Sequence, residues 1–334
     1  MAFQHKPTSN DMIRMPGNFG QRFLVTVDVE EEFDWNAPFR ADGYGLETVR
    51  AILAFQELCE EYGVKPLYLV DFPVIESADG AEIYGGLVRE GKADVGIQLH
   101  PWVNPPHDEE VTTYNSFAGN LPEQLEAEKL QRLASSIERA CGSKPLAYRA
   151  GRYGLGANSI GLLGRQGVRL DTSVRSNFDY SGEGGPNFAH LPLHPYWLDR
   201  ASGLAELPVT TVFWGMLRKQ GKMLFPHAAR SPMLRAILAR TGMLERIALT
   251  PEGISVREVI RGIDIALDDG LPILNFSFHS PSLEPGHTPY VRTPEDAEAF
   301  LDWWRRVFDY LLLRRIPPVS LGEIIAAIDA GEAG

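Results

Sequence analysis

The chain has 334 residues, 44% hydrophobic and 23% charged, the balance of an ordinary soluble globular protein. Its formal net charge of -12 argues against a nucleic-acid binder, and no apolar run is long enough to span a bilayer. Cys59 and Cys141 fall late in predicted helices without metal-ligand spacing, so they read as packing residues in a reducing, cytoplasmic compartment.

Residues 1–20 are polar and broken by Pro7, Pro16 and Gly17. They lack the apolar core of a secretory signal and read as a flexible arm before a single domain over 21–334. Residues 23–29 form a short β-branched run, a buried strand. A helical pattern over 46–62 follows and stops at Gly63. Residues 66–70 read as a strand ending at Asp71, 81–90 as a helix, and 93–99 as a strand ending at His100. Pro122 opens a long helix to about 140, closed by Gly142. A strand at 146–149 leads into the turn Ala150-Gly151-Arg152-Tyr153-Gly154. A helix over 157–166 and a strand over 168–171 come next, then a strand around 205–213. Residues 255–268 predict a helix, 272–278 a strand ending at His279, 294–314 a helix, and 319–321 a short final strand. Alternation of this kind predicts a mostly parallel sheet, open or closed into a barrel.

The most informative segment is Thr26-Val27-Asp28-Val29-Glu30-Glu31-Glu32, where an apolar strand runs into carboxylates. Side chains two apart share a strand face, so Asp28, Glu30 and Glu32 are expected to crowd together. Such a cluster needs a cation, an arginine or a shared proton, or else it is a solvated acidic loop. Asp28, Asp71, His100, Arg149, Asp171 and His279 all fall at the C-terminal ends of predicted strands, where α/β barrels and doubly wound sheets place their sites.

The order of these strand-end motifs resembles the polysaccharide deacetylase superfamily, the carbohydrate esterases with the nodulation chito-oligosaccharide deacetylase domain, in a divergent branch associated with surface polysaccharides. The segments are Thr26-Val27-Asp28-Val29-Glu30, Gly96-Ile97-Gln98-Leu99-His100-Pro101-Trp102, Tyr148-Arg149-Ala150-Gly151-Arg152-Tyr153-Gly154, Leu170-Asp171-Thr172-Ser173 and Phe276-Ser277-Phe278-His279-Ser280-Pro281. Each is weak alone; their order across residues 22–325 is specific. The resemblance implies a distorted (β/α) barrel with about seven parallel strands. It also implies metal-assisted removal of an N- or O-acetyl group from a sugar or polysaccharide precursor. In that comparison Asp28 matches the general base, Arg149 its counter-ion and His279 the general acid. Glu30 matches the metal-binding carboxylate.

The second motif departs from the family pattern of two histidines. Only His100 remains, and Gln98 stands on the same strand face where a close-spaced second histidine would be. The implied ligands of a divalent metal, zinc, are therefore Glu30, Gln98 and His100, with His107 as a substitute if it can reach past Pro105-Pro106. Glutamine is a poorer zinc ligand than imidazole, which leaves a metal-free amidohydrolase of the allantoinase-like branch as an alternative. A non-catalytic carbohydrate-binding relative is another.

Trp35, Trp102, Arg152, Tyr153 and Asp171 are expected to bind substrate, as aromatic or polar groups in or near the motifs; core packing for the aromatics and a turn cap for Asp171 are the competing readings. The segment 216–250 carries Arg218, Lys219, Lys222, Arg230, Arg235, Arg240 and Arg246 against one acid, Glu245. It is either a solvated helical insertion or a rim that attracts an anionic glycan.

Overall fold

Alternate side chains of the first strand, β1 (Arg22–Val29), enter two different cores. Phe23, Val25, Val27 and Val29 face outward into the apolar layer between sheet and helices. Leu24 faces inward, with Thr26 and Asp28 above it. The computed structural model describes residues 6–34, 37–229 and 231–332.

The remaining strands are β2 (Leu67–Val70), β3 (Asp94–Leu99), β4 (Ala147–Ala150), β5 (Leu170–Asp171), β6 (Tyr196–Asp199), β7 (Leu204–Glu206), β8 (Thr211–Trp214), β9 (Glu245–Ala248) and β10 (Ile273–His279). The helices are α1 (Ile52–Glu61), α2 (Phe72–Glu76), α3 (Ala78–Arg89), α4 (Glu123–Cys141), α5 (Ala157–Gln166), α6 (Gly221–Ala229), α7 (Pro232–Arg240), α8 (Val256–Asp268), α9 (Pro294–Leu313) and α10 (Leu321–Glu332). Among the described residues, an eight-stranded sheet runs in the order β10-β1-β2-β3-β4-β5-β7-β6, parallel throughout except for β6 on β7. This is the distorted barrel of about seven parallel strands that the motifs implied.

The strand expected around 205–213 divides in two. Pro208 has no N–H to give a ladder, and the chain there crosses the gap in the barrel instead. Leu207 N donates to Asp171 O, Val209 N to Val174 O, and Thr210 N to Asn275 O of β10. The next residues form β8, which pairs antiparallel with β9 in a separate ribbon. The basic segment 216–250 largely connects these two strands, with α6 packed through Phe225 and α7 through Leu238 on a small cluster with Phe213 and Leu244.

The final strand expected at 319–321 is also corrected. Only Pro318 bridges to Phe23, and Leu321 begins α10. Leu321, Ile324 and Ile328 lie on one helix face and close the barrel floor over Leu24, Leu67, Leu69 and Leu170. The described part of the N-terminal arm lies along this floor, with Ile13 buried in the same cluster and its N–H on Pro195 O. Cys59 and Cys141 are buried free thiols. No helix among the described residues is long and apolar enough to cross a membrane.

Candidate active site

Strand register sets the site. Asp28 of β1 lies opposite His279 of β10, and Gln98 of β3 opposite Arg149 of β4. Because these strands are parallel, all four side chains gather at one mouth of the barrel. Asp28, Glu30, Gln98, His100, Tyr153 and His279 line a cleft of about 320 Å³ there.

Arg149 is fully buried and holds Asp28. Its Nη1 donates to Asp28 Oδ1, Nη2 to Thr26 Oγ1 (2.8 Å) and Thr172 Oγ1 (3.0 Å), and Nε to Thr172 O (3.0 Å). The planar guanidinium therefore fixes the carboxylate's orientation as well as its charge. Asp28 Oδ2 faces His279 Nε2 at 3.7 Å.

On the far side of its ring, His279 Nδ1 meets Glu252 Oε2 at 2.9 Å, and Glu252 Oε1 also accepts from Ser282 Oγ at 2.8 Å. Burial alone would lower the histidine's pKa, but Glu252 and then Glu30 outweigh it and push it up to about 10. Glu252 moves the other way: burial would raise it, and His279 holds it below its ordinary value. The histidine's contribution to stability is thus present below its unfolded value near 6.5 and lost as pH rises through about 10. Glu252 adds stability above its ordinary pKa, which is lost on acidification. In Glu252→Gln, the His279 titration followed by NMR is expected to fall by about one to three pH units; an unmoved midpoint would remove Glu252 as its partner.

Glu30, Gln98 and His100 converge as expected. Gln98 Nε2 lies 3.1 Å from His100 Nε2 and 3.3 Å from Glu30 Oε2, and the last two are 3.5 Å apart. Edges of this length match ligands about 2.1 Å from a common tetrahedral centre. Glu30 Oε1 and Gln98 Oε1 are buried without a hydrogen-bond partner among the described residues. Turning the Gln98 amide over would bring its oxygen to the same corner. Burial pushes the Glu30 carboxyl up to about 8 against the opposing pull of His279 and His100, so the site gains from a cation. These residues fit a divalent ion.

The His100 ring is held from behind. Its Nδ1 contacts Glu31 Oε2 at 2.8 Å, and its ring stacks on Trp102 at 4.3 Å. Trp102 Nε1 donates to Glu31 Oε1 at 2.7 Å. Gly151 leaves room for the imidazole, since a Cβ there would come within 2.4 Å of His100 Cδ2. Glu31, Asp71 and His100 form a second buried cluster of metal-ligand type. Its carboxylates, however, are engaged by Trp102, by Val74 N and by Glu31 N. That arrangement fixes the orientation of the His100 ring through its Nδ1.

Glu31 takes the buried place expected of Glu32. The strand ends at Val29, so the two-residue period does not continue: Glu32 turns away to Thr48 N and to His287, at 3.4 Å. Asp171 is also absent from the cleft. It is a core carboxylate that accepts from Ser173 Oγ (2.6 Å), whose own oxygen receives Ala150 N. Burial pushes both Asp171 and its neighbour Glu206 upward. His107 is exposed near Lys129 and Glu109 and does not replace a second ligand histidine. Trp102, Arg152 and Tyr153 line the cleft. Arg152 and Tyr153 do so from consecutive left-handed conformations, φ 53° and 58°, a strained turn that aims both inward. Trp35 lies outside the described residues. Sequence reasoning missed Glu31 and Glu252; Glu252 sits in a loop between β9 and α8 with no local pattern to mark it.

No family model matches the chain, and no curated protein sequence does either. Among solved structures it is similar to a candidate glycoside hydrolase/deacetylase from Parabacteroides distasonis, with TM-score 0.58 and 12% identity over 93% of this chain and 70% of that one. It is similar to Puue allantoinase, with TM-score 0.51 and 12% identity over 94% and 92%. A 4-alpha-glucanotransferase from Thermococcus litoralis gives TM-score 0.53 and 12% identity over 92% of this chain and 40% of that one. The chain therefore shares the distorted (β/α) barrel of these proteins. A glucanotransferase shares it, so the choice of reaction rests on the side chains.

Proposed function

We propose that this protein is a hydrolase that removes an N- or O-acetyl group from a sugar or polysaccharide precursor. The supporting observation is the facing pair Asp28 and His279, one carboxylate held by a buried arginine and one imidazole held by a buried glutamate. A base and an acid set apart in this way suit acyl transfer to water. Asp28 takes a proton from the attacking water through Oδ2, because Oδ1 is engaged by Arg149. His279 donates from Nε2 to the departing amine or alcohol. Trp102, Tyr153 and Arg152 hold the sugar above them.

Glu30, Gln98 and His100 would hold a divalent ion, zinc, which when bound supplies Lewis-acid polarisation of the acetyl carbonyl. Glu31 fixes the His100 ring so that Nε2 is the free donor.

The test is acetate release from N-acetylglucosamine oligomers and O-acetylated xylo-oligosaccharides, before and after chelation and zinc repletion. Release that falls on chelation and returns with zinc is expected. Gln98→His should tighten zinc binding by about tenfold or more, since an imidazole replaces a weak amide ligand. The glutamine also motivates a second reading, a metal-free amidohydrolase. Full turnover in strong chelator, with no metal gained by Gln98→His, would select it. No turnover of any acetylated sugar would leave a carbohydrate-binding relative.

A further inference from the structure

A second groove of about 590 Å³ begins where the catalytic cleft ends, and Glu252 joins them: it lines the groove on one side and grips His279 on the other. Three arginines line this groove: Arg175, Arg235 and Arg246. Two of them converge on one aromatic ring, with Arg175 Cζ 3.9 Å and Arg246 Cζ 3.4 Å from the Phe178 centroid. Arg175 also lies 5.3 Å from the ring centre of Tyr153, which faces the catalytic cleft. It therefore links the two spaces.

Arg175 and Arg246 are half-buried and Arg235 is exposed, and none is neutralised by a carboxylate. Among the described residues none of the three has a carboxylate within ion-pair distance, whereas Arg218 of the same basic segment is paired with Asp269 at 3.1 Å. Arg175 Nη1 donates to Tyr180 Oη at 3.5 Å while its Nε is buried without a hydrogen-bond partner, and Arg246 Nη1 donates to the backbone oxygen of Asn177 at 2.8 Å. Burial and then the neighbouring Arg175 depress Arg246. The groove's two acids do not resolve this. Glu252 is engaged by His279 and Ser282. Glu245 is held above its ordinary pKa by burial and by Glu258. Two guanidiniums crowded on one ring, in a chain of net charge -12, make a local site for an oxyanion.

We propose that this groove is an anion subsite, in which Arg175, Arg246 and Arg235 bind a carboxylate or phosphate group carried by the acetylated sugar beside the bond that is cut. The proposal rests on the deacetylase reading for the identity of the sugar, while the anion site itself stands on the arginines.

The experiment compares binding to the full chain by calorimetry of N-acetylglucosamine, N-acetylmuramic acid, which adds a carboxylate, and N-acetylglucosamine 1-phosphate. At least one acidic sugar should bind about tenfold or more tightly than the neutral one, as a charge-assisted contact provides, and the ratio should shrink with added salt. Arg246→Gln should reduce that ratio by about tenfold, and so should Arg235→Gln to a lesser degree, the latter at an exposed position that folding tolerates. Which acidic sugar shows the preference distinguishes carboxylate from phosphate. Equal binding of all three sugars to the parent protein, or a preference that survives both substitutions, would overturn the subsite. Acidic preference without acetate release would leave the subsite and remove the deacetylase reading; acetate release without acidic preference would do the reverse.

Discussion

Asp28→Asn and His279→Ala are each expected to lower kcat on an acetylated sugar by about 10² to 10⁴-fold. In the proposed mechanism the two substitutions remove two different proton transfers, one from the attacking water and one to the leaving group. Asparagine keeps the shape of Asp28 and still offers Arg149 an oxygen, but it takes no proton from water. Alanine at position 279 leaves the leaving group to depart without protonation. His279 is 22% exposed at the cleft rim, so its loss should leave the fold intact. Both losses should appear in kcat more than in KM, because the sugar is held chiefly by other groups. The double variant should be little worse than the poorer single one, as groups acting in one step are not additive. Near-full kcat in either single variant, measured on protein with parental circular dichroism, would remove that residue from the mechanism.

The legible part of this fold was the part with strict periodicity. Strands β1, β3 and β10 and helices α4, α5 and α8 announce themselves by alternation or by caps such as the Ser255–Glu258 box and Gly142. What was not legible depends on contacts between distant segments. Residues 319–321 resemble a strand because Val319 and Leu321 alternate, yet they enter α10, whose pattern is diluted by Gly322 and Gly331. Pro208 shows why a single apolar stretch could not remain one strand.

The site divides along the same line. Motif order places Asp28, Arg149 and His279 at strand ends, and strand register gathers them at one mouth of the barrel. Glu31 and Glu252 were not found, because each earns its place by touching a histidine remote in sequence. Glu32 illustrates the limit of periodic reasoning: the rule that side chains two apart share a face ends with the strand, three residues earlier. Asp171 illustrates another. A polar residue at a strand end can point into the core, as Asp171 does with its Oδ1 held by Ser173 two residues on.

Arg149→Met is expected to destabilise the protein by about 3 to 5 kcal/mol, since it leaves a buried carboxylate without its counter-charge. The structure concentrates that cost. Asp28 and Arg149 are both almost wholly inaccessible, and the arginine alone ties together β1 through Thr26 and Asp28, β4 through its own backbone, and the segment after β5 through Thr172. Methionine fills much of the volume but none of the hydrogen bonds. Asp28→Leu combined with Arg149→Met should recover a substantial part of the stability, because neither buried charge remains, while activity stays absent. Urea denaturation with unchanged m-values gives the comparison directly. A loss below about 1 kcal/mol in Arg149→Met would mean that water reaches and solvates Asp28 in the variant. A double variant less stable than either single one would mean that the pair holds the barrel mouth together through geometry that apolar side chains cannot replace.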